Sequence, residues 1–125
     1  MAFVEISKWA GGPKGDGIRA AIIPGNKTQT YFKLALKIPT NLIPPHIKRT
    51  SLLIDKETRQ VWLKLDNKGF RLGEIGGSNV LVAVINDSMG VVTQKMPTLP
   101  CPHCVSDSEK LGGIVFFLPN AFFKQ

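Results

Sequence analysis

The chain has 125 residues, 43% hydrophobic and 20% charged, with a formal net charge of +7. That length suits one domain with its own core and no obligatory metal or disulfide. The longest apolar run, Ile114 to Leu118, is far short of the roughly 20 residues that cross a bilayer, and no segment has the period of an amphipathic helix with a basic face, so a membrane role is disfavoured.

In chain order, short β-branched and often alternating segments are bounded by turn signals every 8 to 15 residues, which predicts an all-β fold. The expected form is a small single-domain barrel or sandwich built from hairpins, with little helix. Strands are predicted over Phe3 to Trp9, Gly17 to Ile23, Thr30 to Ile38, Thr50 to Ile54, Gln60 to Leu65, Phe70 to Leu72, Val80 to Ile85, Val91 to Lys95 and Ile114 to Leu118. Residues 11–17 read as a flexible Gly-rich hairpin loop. They lack the GK[ST] ending of a phosphate-binding loop. Pro44-Pro45 blocks a helix through 40–48, leaving a turn at Thr40 to Ile43. Asp55-Lys56-Glu57-Thr58-Arg59 has hairpin-loop length without glycine. Residues 96–113 read as a Pro- and Cys-containing connector before a C-terminal apolar strand, with one helical turn expected around Asp107 to Leu111.

The charge is uneven. Up to Leu72 there are 13 Lys and Arg against 5 Asp and Glu; from residue 73 onward there are 3 against 4. Between Asp16 and Asp55 no acid occurs, while Arg19, Lys27, Lys33, Lys37, Lys48 and Arg49 fill the interval. Period-two geometry puts Phe32, Leu34, Leu36 and Ile38 on a core face and Tyr31, Lys33, Ala35 and Lys37 on the other. In the next hairpin Val61, Leu63 and Leu65 share one side, leaving Trp62 and Lys64 on the polar side. Trp62 is there either a stacking platform or the lid of a second core layer. Rings interleaved with cations suit unstacked bases and their phosphates. The expected partner is therefore nucleic acid, single-stranded DNA or RNA in preference to duplex, with Arg19, Lys27, Tyr31, Lys33, Lys37, Lys48, Arg49, Trp62 and Lys64 as its contacts. An acidic protein would satisfy the same charge.

The tetrapeptide Cys101-Pro102-His103-Cys104 admits three readings: half of a zinc site completed by a second subunit, a redox pair, or a loop with two neighbouring thiols. It matches the CPHC tetrapeptide of thioredoxin-like oxidants, whose motif follows a buried strand and opens a helix, whereas a proline-rich stretch precedes it here. The cofactor expectation is none, or zinc held between subunits by Cys101 and Cys104. His46, beside Pro44-Pro45, reads as a surface loop residue. No Ser/His/Asp set, paired carboxylate or HExxH motif is legible, so an enzyme is not expected.

Ile114-Val115-Phe116-Phe117-Leu118 with Phe122-Phe123 holds four of the seven phenylalanines. It is either a strand buried on both sides or an interface, and a homodimer is expected from it. The runner-up function is accordingly a protein-interaction or structural component, of phage or mobile-element type, acting through this apolar C-terminus. A zinc or thiol protein is the third. With no disulfide framework and no signal-peptide organisation in Met1-Ala2-Phe3-Val4-Glu5, the expected compartment is the cytoplasm.

Leu36-Lys37-Ile38-Pro39-Thr40-Asn41-Leu42, followed by the hairpin Leu52-Leu53-Ile54 and Val61-Trp62-Leu63-Lys64-Leu65, resembles the swapped-hairpin DNA-binding domains of the AbrB/MazE type over residues 33 to 65. The sequence departs from that pattern in Ile43, where a basic residue is usual, in the Pro-Pro pair and in the missing Gly-Asp before the hairpin. The resemblance implies a dimer contacting DNA through basic loop residues, with Lys37, Lys48 and Arg49 in suitable positions.

Overall fold

A computed structural model describes residues 17–124. The predicted strand at Phe3 to Trp9 and nearly all of the Gly-rich loop at 11–17 lie outside the described residues. Within them the chain forms nine strands: β1 (Ile18–Pro24), β2 (Phe32–Pro39), β3 (Arg49–Asp55), β4 (Gln60–Lys64), β5 (Phe70–Arg71), β6 (Gly73–Ile75), β7 (Ser78–Val84), β8 (Met96–Cys101) and β9 (Ile114–Phe117), with one helix, α1 (Val105–Leu111), between the last two.

The strands make two antiparallel sheets. The first has the order β6-β7-β2-β1-β8 and the second β5-β3-β4-β9. Alternation sends Ile18, Ala20 and Ile22 of β1, Leu34, Leu36 and Ile38 of β2, and Leu81 and Ala83 of β7 inward from the first sheet. Val61 and Leu63 of β4 with Ile114 and Phe116 of β9 come from the second, and all join one buried cluster. Each fully buried Leu or Ile contributes on the order of 1.5–3 kcal/mol, so the two sheets are held together by their inner faces. Thr50 is the one buried polar residue among the described ones, and its Oγ donates to the Lys64 carbonyl at 2.8 Å, so among them no buried side-chain N or O atom lacks a partner.

The sheets meet at two corners. The chain crosses at Leu72, between β5 in one sheet and β6 in the other, and the Leu72 N–H donates to the Lys48 carbonyl at 2.9 Å. At the other corner His103 bridges to Phe116, and the Phe117 N–H donates to the Pro102 carbonyl at 2.9 Å. The stretch expected as a connector is therefore part of the fold: Met96–Cys101 is an edge strand on β1, and the segment after it turns the corner into α1. Pro97 and Pro100 fit because an edge strand leaves one row of its backbone unpaired, where a missing N–H costs nothing. Val91 to Lys95 is not a strand. Only Val91 pairs there, as a single bridge to Phe123, after Gly90 has closed a 3-10 turn with φ +70°.

The C-terminal apolar run lies within the domain. Ile114, Val115, Phe116, Leu118, Phe122 and Phe123 are buried, and Phe117 alone of the run is exposed. The interface expected from these residues, and the homodimer inferred from it, lose that basis.

Gly113 holds the turn from α1 into β9 at φ +110°, and a Cβ there would stand 2.2 Å from the Leu63 carbonyl oxygen, a backbone atom of β4. Gly113→Ala should cost more than about 2 kcal/mol in urea unfolding. Gly76→Ala, with φ +50° and open space around it, should cost only about 1 kcal/mol. Equal losses at the two positions would contradict the close approach.

Candidate nucleic-acid interface

Because the inner faces share one core, each sheet turns its other face outward, on opposite sides of the core. The predicted contact residues divide between those two faces. On the first sheet, cross-strand register places Arg19 opposite Lys37, Ala21 opposite Ala35, and Ile23 opposite Lys33. On the far side of β2 the same positions face Val80, Val82 and Val84. The result is an aliphatic strip of Ile23, Ala21, Ala35, Val82 and Val84, with Arg19 and Lys37 at one end and Lys33 at the other.

Tyr31, in line with Lys33, extends this face beyond β2. Tyr31 is 40% exposed and its ring packs on Gly25, whose added Cβ would sit 2.1 Å from the ring. The Lys33 ammonium lies 6.0 Å from the ring centroid. Lys27 is exposed in the adjoining β1–β2 turn, which Asn26 ties together by accepting the Thr30 N–H at 3.0 Å. From Tyr31 to Lys37 the row runs about 20 Å at strand rise. No carboxylate belongs to it, and among the described residues none of its cations lies in an ion pair; Lys124 pairs with Asp87 elsewhere.

The second sheet carries Arg49, Trp62 and Lys64 on its outer face, so these do not form one surface with Tyr31 and Lys37. Trp62 stands opposite Leu53 and Val115, Lys64 opposite Ser51, and Arg49 opposite Arg71. Arg71, absent from the sequence-based set, enters only through this register. Its strand is too short for alternation to show which way it points.

Trp62 is a lid. Its indole Nε1 donates to the Gly112 carbonyl at 2.8 Å, pinning the end of α1 over the sheet, and the Lys64 ammonium sits 5.0 Å from its ring centroid. Beside it an open cleft of about 520 Å³ is lined by Leu53, Asp55, Gln60, Leu111 and Val115. Lys48 is exposed at the corner, its N–H donating to Asn67 Oδ1 at 2.9 Å. Asp66 lies near this face, accepting from Ser51 Oγ at 2.8 Å and from the Lys68 N–H at 3.1 Å. The Ser51 hydroxyl, with desolvation opposing it, holds that carboxyl below its ordinary pKa.

The two cysteines have different surroundings. Cys101 is buried in the core at the end of β8, and burial pushes its thiol up to about 12. Cys104 is half-buried at the start of α1, where Gln60 Nε2 donates to its sulfur at 3.6 Å and to Asp107 at 2.8 Å. His103 turns instead to Ser108, at 3.1 Å. Zinc requires thiolates, and a core thiol is the least favourable source of one. Among the described residues no three His, Cys, Asp or Glu side chains converge as a metal site. His46 is exposed in the Pro44-Pro45 loop, in keeping with a surface residue.

No family model, curated protein or solved structure matches the chain.

Two outcomes follow from these surroundings. In the folded protein at pH 8 a thiol reagent should modify Cys104 and leave Cys101 untouched until denaturant is added; mass spectrometry of digests would show which sulfur reacted. Asp66 contributes stability through its charged form, a contribution complete above the ordinary carboxylate pKa and lost as pH falls below it. Asp66→Asn should therefore lower the melting temperature at pH 7 and flatten its fall below about pH 4, and a fall as steep as the parent's would show that Asp66 is not responsible.

Proposed function

We propose that the protein binds nucleic acid, with single strands preferred, on the outer face of the first sheet through Arg19, Lys33, Lys37 and Tyr31, with Lys27 beside them. The observation that carries this reading is the Arg19–Lys37 pair. Like charges set directly opposite each other across two strands destabilise a sheet, and among the described residues no carboxylate pairs with either of them. A phosphate backbone supplies the missing charge and releases its counterions on doing so.

The aliphatic strip beside the cations gives sugars and base edges a dry surface, and the Tyr31 ring offers a stacking plane. Preference for single strands follows from what faces outward. The helix α1, Val-Ser-Asp-Ser-Glu-Lys-Leu, carries two acids and one base, so it is unsuited to a DNA groove. Self-association through the same strip is disfavoured, because it would set Arg19, Lys33 and Lys37 of two copies against each other. Duplex DNA, as the AbrB/MazE resemblance would have it, and an acidic protein remain the competing partners.

The test is a titration of labelled single-stranded DNA, duplex DNA and RNA at two salt concentrations. Three phosphate contacts predict a slope of about −2 in log K against log salt for a single strand, or roughly a 20-fold loss between 50 and 200 mM. Lys37→Ala should reduce that slope by about 0.7. Tyr31→Ala should cost about 1–3 kcal/mol of binding. Gly25→Ala, which displaces the ring while leaving every charged side chain unchanged, should weaken binding in the same direction. Tight binding confined to duplex would move the assignment to a groove reader, and poly-glutamate competing as well as a single strand would move it to an acidic protein.

A further inference from the structure

We infer that the second sheet carries a separate phosphate-binding face, so that one chain holds two nucleic-acid segments at once, one on each side of the sandwich. This rests on the function proposed above and extends it to the geometry of the bound complex.

The outer face of the second sheet repeats the feature that marks the first. Arg49 and Arg71 stand directly opposite each other between β3 and β5, a second like-charge cross-strand pair. The Arg49 guanidinium is held in place by donating from Nη1 to the Gly69 carbonyl at 3.0 Å. One row further along, Lys64 joins them opposite Ser51. Asp66, beside this end, accepts from the Ser51 hydroxyl and the Lys68 amide and makes no ion pair with Arg49, Lys64 or Arg71. Three cations therefore share one end of this sheet against the single negative charge of Asp66, and among the described residues none of the three is in an ion pair.

The character of this second face differs from the first. Trp62 is committed to Gly112 through its N–H and covered by Lys64, so it does not offer a free ring. Contacts here are to phosphates, with no base to stack, and binding at this face should be indifferent to base identity and steeply salt-dependent. The two outer faces cannot be served by one short strand. Packed sheets lie about 10 Å apart, and the core between them keeps the two sets of cations on opposite sides.

The experiment uses the full chain and oligothymidylates of about eight nucleotides, short enough to occupy one face. Native mass spectrometry at low salt should show two oligonucleotides per chain. A mixture of donor- and acceptor-labelled oligonucleotides should show energy transfer that rises with protein and falls again when protein is in excess. Arg71→Glu, at an exposed position, should leave one oligonucleotide per chain, weaken the second binding step about tenfold or more, and abolish the transfer. Its melting temperature reports that it is folded, and Arg71→Gln should give the same direction with a smaller effect. Lys37→Glu should remove the other oligonucleotide instead.

Saturation of the parent at one oligonucleotide per chain, or two retained by Arg71→Glu, overturns the second face while leaving the first intact. Energy transfer from particles that contain two chains and two oligonucleotides overturns it also, since one face per subunit would then suffice. Binding of no oligonucleotide at all removes the function proposed for the first face, and this inference with it.

Discussion

The sharing of one apolar core by two sheets decides where every other side chain of this protein goes. Once Leu34, Leu36 and Ile38 face Val61, Leu63 and Phe116 across that core, the residues alternating with them have no choice but to point outward. Lys33 and Lys37 go to one side of the molecule and Trp62 and Lys64 to the other. The division of the cations into two sets is a consequence of burial, and no specific contact is needed to enforce it.

The same constraint explains the unusual use of proline and the fate of the C-terminus. A sandwich needs its sheet edges blunted and its corners turned. Pro97 and Pro100 do the first on β8, and the bridge from His103 to Phe116 does the second. Phe122 and Phe123 then fill the end of the core, with Val91 and Met89 beside them in the same cluster. An apolar tail that would be a liability in isolation becomes part of the fold.

Electrostatics is the part of the molecule that the fold does not explain. Arg19 beside Lys37, and Arg49 beside Arg71, lie in register positions that a sheet selected for stability alone would fill with opposite charges or threonine. The aliphatic strip between the cations of the first sheet is likewise more apolar than solubility requires, with Val84 51% and Val82 41% exposed. Both features sit on surface and cost stability, which is why they bear on function.

Alternation was legible wherever a strand was long enough to show it. β1, β2, β3, β4, β5, β7 and β9 fall on predicted segments, and the inward set of β2 could be read residue by residue. β6 and β8 were not legible, one having only three residues and the other carrying prolines. Val91 to Lys95 had the composition of a strand but pairs only at its start, where Val91 bridges to Phe123. Of the candidate contacts, Tyr31, Lys33 and Lys37 could be placed on one face from their spacing, but Arg19 could join them only through pairing register.

Local chemistry alone therefore determined that this is an all-β chain, which residues are core, and that its first part is cationic, since alternation, apolar content and charge are properties of neighbours in sequence. Tertiary structure alone decided that the Trp62 ring is a lid, that Cys101 and Cys104 have separate surroundings, and that the basic residues form two faces. Those outcomes depend on which strands pair and which way each sheet turns, and pairing is set by contacts between residues far apart in the chain.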